Sequence, residues 1–460
     1  MKKTTRNIFI AFGIVCLIFT GIIGYGIYRV YTFFNQIGFS KEVPEELKET
    51  RVLTGEGFLT KKEIFKLEKQ GLLKTIGKSS QIKDEKEREK YAKSESAKTI
   101  YNFADLEVFG DKIIAAGEFG AFVFDLDGNL QREILFEPEA EKIKVGFIET
   151  ENSNTSLDNL EIVKLNNDKF GFLSFGLTQG VVVYDGNGKR IWGYGKLEVD
   201  VSDVLKDSKQ SQEDFEKGHH VLEAAVGDLD GDNISEYIVA VQNEGFHAFD
   251  QNGNKKWFQP DDYPSDKLKI VDVDGDGKNE ILEDGGSSSK IRDGNGNVIK
   301  EMKTGSGGEM VLFLENEEKK KTPIFCRLME NKMSCEDESG KSFIESTAPL
   351  SDIPKKDPKK IEIPGHPEMR YMDDSDRVGF PRAVLVSLKK DAPKYLAVVG
   401  AFIGIPRANF YLYDEKGNLV YHELLPKEAE TIAIVPTATG NETILIGGKD
   451  TIWKYDAADN

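Results

Sequence analysis

From about residue 100 onward, short apolar runs alternate with polar, glycine-rich turns, a pattern with the period of β-strands. One unit recurs: two or three strand-forming residues, an Asp, a Gly/Asn-rich turn, then another short strand. It reads VFDLDGNLQREI at Asp125, VYDGNGKRIW at Asp185, AFDQNGNKKW at Asp250 and KIRDGNGNVI at Asp293. It returns as CEDESGKSFI at Asp337, LYDEKGNLVY at Asp414 and WKYDAADN at Asp456. Asp, Asn and Gly supply the positive φ angles of tight hairpins, so each unit joins two antiparallel strands. The shorter intervals, such as Asp250 to Asp293, match one four-stranded propeller blade of roughly 40–50 residues. The longer intervals hold insertions, acidic at 196–218 and Pro/Lys-rich at 349–369. The seven units predict an all-β, seven-bladed β-propeller over residues 98–460. Two stacked β-sandwiches are the alternative built from similar strands. The last unit has no strand after it, and the segment KTIYNF at 98–103 is expected to supply one and close the ring.

The N-terminal part has a different pattern. Residues 8–28 form a stretch of 21 residues without a charge, long enough as a helix to cross a hydrocarbon core of about 30 Å. Lys2, Lys3 and Arg6 precede it, which predicts a transmembrane helix with residues 1–7 in the cytoplasm. Everything after it would lie outside, in a periplasmic or extracellular space. A cleaved signal peptide is the competing reading, but its apolar region is normally shorter and ends in a small-x-small site. Here the exit is aromatic, with Tyr25, Tyr28, Tyr31, Phe33 and Phe34 around Arg29. Residues 29–97 read as a polar, partly helical stalk or linker. Within it Thr60-Lys61-Lys62-Glu63 is a capping box, which predicts a short helix carrying Ile64, Phe65, Leu67 and Leu72.

Two segments carry candidate chemistry. The first runs Asp228-Leu229-Asp230-Gly231-Asp232-Asn233-Ile234-Ser235-Glu236, and the second Asp272-Val273-Asp274-Gly275-Asp276-Gly277-Lys278-Asn279-Glu280. Each lies between apolar strands and places carboxylates at loop positions 1, 3, 5 and 9, with the carbonyl of position 7 available. Hard oxygen donors in that number suit Ca²⁺, whereas Zn²⁺ prefers His or Cys. An acidic hairpin with no ion is the plainer reading of the same residues.

GDLDGDNISEYIVA and VDVDGDGKNEIL resemble FG-GAP/VCBS repeats, the calcium-loop blades of the integrin α-subunit propeller and of many bacterial surface proteins. The resemblance is sharp over about residues 220–285 and looser over 100–460. It implies that the loops join the first and second strands of a blade. It further implies one ion held by Asp228, Asp230, Asp232, Glu236 and the carbonyl of Ile234. A second would be held by Asp272, Asp274, Asp276, Glu280 and the carbonyl of Lys278. Asn233 stands where the pattern has Gly, a substitution that a left-handed turn tolerates. Asp125, Asp127, Asn129 and Glu133, and likewise Asp293, Asn295, Asn297 and Glu301, have similar spacing but coincide with the hairpin units, so turn chemistry explains them.

Composition narrows the function. A formal net charge of −18 argues against a nucleic-acid partner, which needs a basic face. Five His and 3 Cys leave little material for thiol or transition-metal chemistry. Cys326 and Cys335 lie in one hairpin. An even-length loop centred on Glu330 and Asn331 would set them opposite each other, which allows a disulfide without requiring one. The favoured expectation is a membrane-anchored, calcium-binding propeller outside the cytoplasm, acting as an adhesion, scaffold or protein-interaction module with a protein or glycan partner. The alternative is an enzyme, quinoprotein-like or polysaccharide-active, or an envelope assembly factor. With Trp192, Trp257 and Trp453 the only tryptophans, the quinoprotein reading lacks the rings that would clamp its blades and cover a cofactor.

Overall fold

The computed structural model describes residues 49–66, 103–194 and 221–458, apart from short interruptions, the longest at 346–358. The predicted membrane span at 8–28 and the acidic insertion lie outside the described residues. Among the described residues no helix is long and apolar enough to cross a membrane.

Seven four-stranded antiparallel units stand side by side, at residues 105–135, 160–194, 221–260, 268–302, 310–345, 378–425 and 429–457, the last completed by Leu59–Lys66. They are blades 1 to 7 of a β-propeller, and the two-sandwich alternative falls away. In blades 1 to 6 the four strands follow chain order from the first to the last, and in blade 7 the outer strand comes from the N-terminal side of the chain. The middle strands are pressed between neighbouring blades and bury both faces, which is why Glu236–Val241 (EYIVAV) is apolar almost throughout and wholly buried. Fourth strands meet solvent on one side, so Lys255–Pro260 alternates between exposed and half-buried positions.

Six of the seven recurring units form the hairpins between third and fourth strands; the seventh, at Asp456, lies within the third strand of blade 7. At Asp125 the carboxylate Oδ1 accepts the amides of Asp127 and Asn129, and the backbone of Asp125 closes on Gly128 and Asn129. The same staple recurs at Asp185, Asp250, Asp293, Asp337 and Asp414. These carboxylates close turns, as the sequence suggests for Asp125 and Asp293. Each fourth strand then skips one register position in a β-bulge, at Gln131, Ile191, Lys256, Ile299, Phe343 and Val420.

Ring closure differs from the expectation. The strand that completes blade 7 is Leu59–Lys66, paired antiparallel with Thr451–Ala457. It is drawn from the segment whose capping box predicts a helix. Residues 98–102 of the expected closing segment lie outside the described residues, and Phe103 leads into blade 1. The reason is tertiary. In Leu59–Lys66 the ends, Leu59 and Phe65, are buried while four residues between them are exposed. Phe65 packs against Phe103, Phe122 and Phe124, with centroids 6.2, 5.5 and 4.7 Å away. An exposed helix would leave Phe65 in water and the edge of Thr451–Ala457 unpaired. Just upstream, Val52–Thr54 adds a fifth strand to blade 6 through Leu419–Leu425. Two ribbons outside the blades, Glu139–Val145 with Ile148–Asn154 and Lys359–Ile363 with His366–Asp373, were not foreseen as strands. The second occupies part of the 349–369 insertion.

In blade 5 the register sets Cys326 directly opposite Cys335. Both are fully buried, and the two sulfurs are joined in a disulfide.

Candidate functional site

The two acidic loops join the first and second strands of adjacent blades. The first links Val221–Gly227 to Glu236–Val241, the second Leu268–Val271 to Glu280–Asp284. Their curl is set by residues in the left-handed region: Gly231 and Asn233 at φ 80° and 65°, Gly275 and Gly277 at 81° and 89°. Asn233 thus adopts the conformation that Gly277 takes in the other loop.

The first carboxylate of each loop organises the turn. Asp228 accepts the amides of Gly231, Asp232 and Asn233. Asp272 accepts those of Gly275 and Gly277. The last carboxylate folds back onto the loop: Glu236 Oε2 accepts Leu229 N at 2.9 Å and Glu280 Oε2 accepts Val273 N at 2.8 Å. Burial pushes the Glu280 carboxyl up, and Asp274, Asp276 and Asp272 beside it push the same way. Burial likewise raises Glu236, with the Lys256 ammonium opposing the shift.

The four side-chain ligands expected in each loop do not all converge. In the first, oxygens of Asp228, Asp230 and Glu236 lie within 4.8 Å of one another; in the second, those of Asp272, Asp274 and Asp276 do. Asp232 accepts the amide of Ile234 at 2.7 Å, and its counterpart Asp276 accepts that of Lys278 at 2.8 Å while still joining the cluster. Both sets offer only carboxylate oxygens, a donor chemistry that fits a hard divalent cation rather than zinc or copper.

The loops also touch each other and their neighbours. Asn279 of the second donates from Nδ2 to the backbone carbonyl of Asp228, at 2.6 Å. Asn166 of blade 2 accepts the amide of Ser235, at 2.6 Å. A cavity of about 300 Å³ separates them, lined by Lys164, Asp228, Asn233, Asp272, Gly277 and Asn279 among others. Sequence reading missed these braces, since neither Asn belongs to a ligand position.

A second polar feature lies on the axis of the ring. The first strands of the blades enclose a cavity of about 640 Å³ that carries Asp105, Glu107, Glu161, Glu223, Lys267, Lys269 and Arg382. Glu107 is exposed to the water of this channel, with protein crowded around it on its other sides. Burial, then the charge of Asp105, push its carboxyl up to about 8, against the pull of Lys269. Burial, reinforced by Glu161, pushes Asp105 up to about 6, against the amides of Ile162 and Leu106. Glu161 in turn holds the Lys269 ammonium above its ordinary value. Raised carboxyls mean that the folded ring keeps protons the unfolded chain releases. Their stabilisation is complete below about pH 4, the unfolded carboxylate range, and is lost as pH rises through about 6 and about 8. Melting temperature should therefore fall between about pH 4 and 8, and Glu107→Gln should flatten the upper part of that slope. An unchanged slope in the variant would remove Glu107 from the explanation.

Comparison with protein-family models and with curated proteins finds no match. Solved propeller structures are similar at low identity. BBS1N, crystallised in complex with ARL6DN, is 10% identical over 79% of this chain and 92% of that chain, with a TM-score of 0.43. The Neurospora crassa Pan2 WD40 domain is 11% identical over 78% and 90%, with a TM-score of 0.40. The Myceliophteria thermophila Cps50 (Swd1) β-propeller domain is 10% identical over 75% and 93%, again at 0.40. None of these likenesses bears on what the chain binds.

Proposed function

We propose that the chain is a membrane-anchored, FG-GAP/VCBS-like β-propeller that binds calcium through its acidic loops and presents its blades to a protein or glycan partner outside the cytoplasm. The observation that carries this reading is the convergence of carboxylates in two left-handed loops at the same position of adjacent blades. Clustered carboxylates repel one another, and a divalent cation relieves that repulsion while binding the folded loop alone. Asp272, Asp274 and Asp276 would hold it in blade 4, with Glu280 bracing the loop and the Lys278 carbonyl a further donor. In blade 3 the corresponding groups are Asp228, Asp230 and Glu236, with Asp232 and the Ile234 carbonyl beside them. The ion supplies electrostatic bracing, and the reading assigns no reaction to it. Export is supported by the uncharged segment at 8–28 and by the buried disulfide in blade 5, a bond that persists in oxidising compartments.

The test is a thermal melt of the full chain in detergent, with chelator and then with calcium or magnesium. Extracellular calcium modules bind at about 10⁻⁴–10⁻³ M. At a hundredfold excess over Kd, one ion adds about 2.7 kcal/mol. A rise of several degrees in calcium, abolished by Asp228→Asn with Asp272→Asn, is expected. Equal melting in calcium and chelator would contradict calcium binding.

A further inference from the structure

The two loops match in sequence at positions 1, 3, 5 and 9 but differ in what lies against them. Lys256, on the fourth strand of blade 3, extends its ammonium between two of the first loop's converging carboxylates. Nζ is 2.8 Å from Asp230 Oδ2 and 2.9 Å from Glu236 Oε1. Among the described residues no ammonium is paired with a carboxylate of the blade-4 loop, although the Glu318–Lys321 turn of blade 5 packs against that loop at Gly275 and donates the Lys321 amide to the Val273 carbonyl. Lys256 occupies the bulge between the pairs Ala248↔Trp257 and Phe249↔Lys255. The same bulge in blade 4, between Ile291↔Lys300 and Arg292↔Val298, holds Ile299, which is 59% exposed. Across the six bulged hairpins the residue is Gln131, Ile191, Lys256, Ile299, Phe343 and Val420, so a cation appears once, beside an acidic loop. Lys278 adds to the asymmetry. Although it belongs to the second loop, its Cγ would lie 3.2 Å from a Cβ placed on Gly231, so its stem runs against the first.

Resting on the calcium reading above and narrowing its two candidate loops to one, we propose that Lys256 is a built-in cation for the blade-3 loop, so the chain takes up a single divalent ion, in the blade-4 loop. A tethered ammonium competes with an incoming ion at the effective concentration of an intramolecular group. It satisfies Asp230 and Glu236 through charge-assisted hydrogen bonds, which a divalent ion would have to break while being repelled by the displaced charge. The blade-3 loop is then an ion-independent strut, and through Asn279 and the Asp228 carbonyl it supports the loop that binds.

Calorimetric titration of CaCl₂ into the full chain in detergent micelles tests this by stoichiometry. Wild type should bind one ion per chain, and Asp272→Asn none. Lys256→Met, which keeps the length of the stem and removes its charge, should bind two. Ile299→Lys, a surface change that installs an ammonium at the blade-4 bulge, should bind none while melting as the chelated wild type does. Two ions in wild type would overturn the role of Lys256 and leave the calcium reading intact. One ion in both wild type and Lys256→Met would also overturn it. No ion in any variant would remove the calcium reading together with the inference built on it.

Discussion

A chain beginning at residue 98 is expected to aggregate, whereas one beginning at residue 49 should melt as a single cooperative ring. The difference is Leu59–Lys66, which supplies the outer strand of blade 7 and pairs along the whole of Thr451–Ala457. Without it that edge offers unpaired amides and carbonyls to other chains. Three aromatic rings also lose their centre, because Phe65 is 2% exposed and touches Phe103, Phe122 and Phe124. Phe65→Ala in the longer chain should cost about 3–5 kcal/mol, the range for deleting a buried aromatic ring. That is a large share of the roughly 5–15 kcal/mol by which folded domains are stable. Size-exclusion chromatography and denaturant melts check both statements. A monodisperse, cooperatively folding chain from residue 98 would show that the N-terminal strand is dispensable.

Lys61→Met is expected to destabilise the ring by up to about 3 kcal/mol, the lower end of the range for breaking a buried ion pair, because the lysine is partly exposed. Lys61, also on the closing strand, reaches across to Glu423 of blade 6, with Nζ 2.6 Å from Oε1. The hydroxyls of Tyr421 and Tyr455 both donate to Glu423 Oε2, at 2.8 and 3.0 Å. The ammonium also stands over the rings of Trp453 and Tyr455, 4.9 and 5.6 Å from their centroids. Burial, together with the neighbouring Glu423 carboxylate, raises both tyrosines, so the hydroxyls stay protonated as donors. Removing the lysine leaves a buried carboxylate with neutral partners alone. The double variant Lys61→Met with Glu423→Gln should therefore recover part of the loss, a coupling that a denaturant double-mutant cycle measures. Strictly additive losses would mean that the pair contributes no more than its separate packing.

The blade count was legible because hairpin chemistry is local: Asp, Asn and Gly at fixed offsets encode a turn whatever lies around it. Closure was not legible for the opposite reason. Thr60 and Glu63 satisfy a helix-start rule locally, and only the distant partner Thr451–Ala457 makes them strand. Cys326 and Cys335 were readable as cross-strand neighbours because a single hairpin sets their register. In the acidic loops the spacing identified the carboxylates but not their convergence, since Asp232 and Glu280, at different positions of the pattern, stand outside the clusters of their loops. The one signal available for Lys256 was the contrast between NGNKKW and NGNVIK in neighbouring units, visible once the hairpins are aligned. The strong pKa displacements on the axis had no sequence signal, because Asp105, Glu107 and Glu161 meet only when the ring closes.

Crystals of the chain from residue 49 onward, grown in millimolar calcium, address the metal loop most directly. Anomalous difference density should lie among Asp272, Asp274 and Asp276, with oxygen ligands at about 2.3–2.6 Å. Ordered water alone in that loop, at a calcium concentration well above the expected Kd, would contradict the assignment of a cation to this propeller.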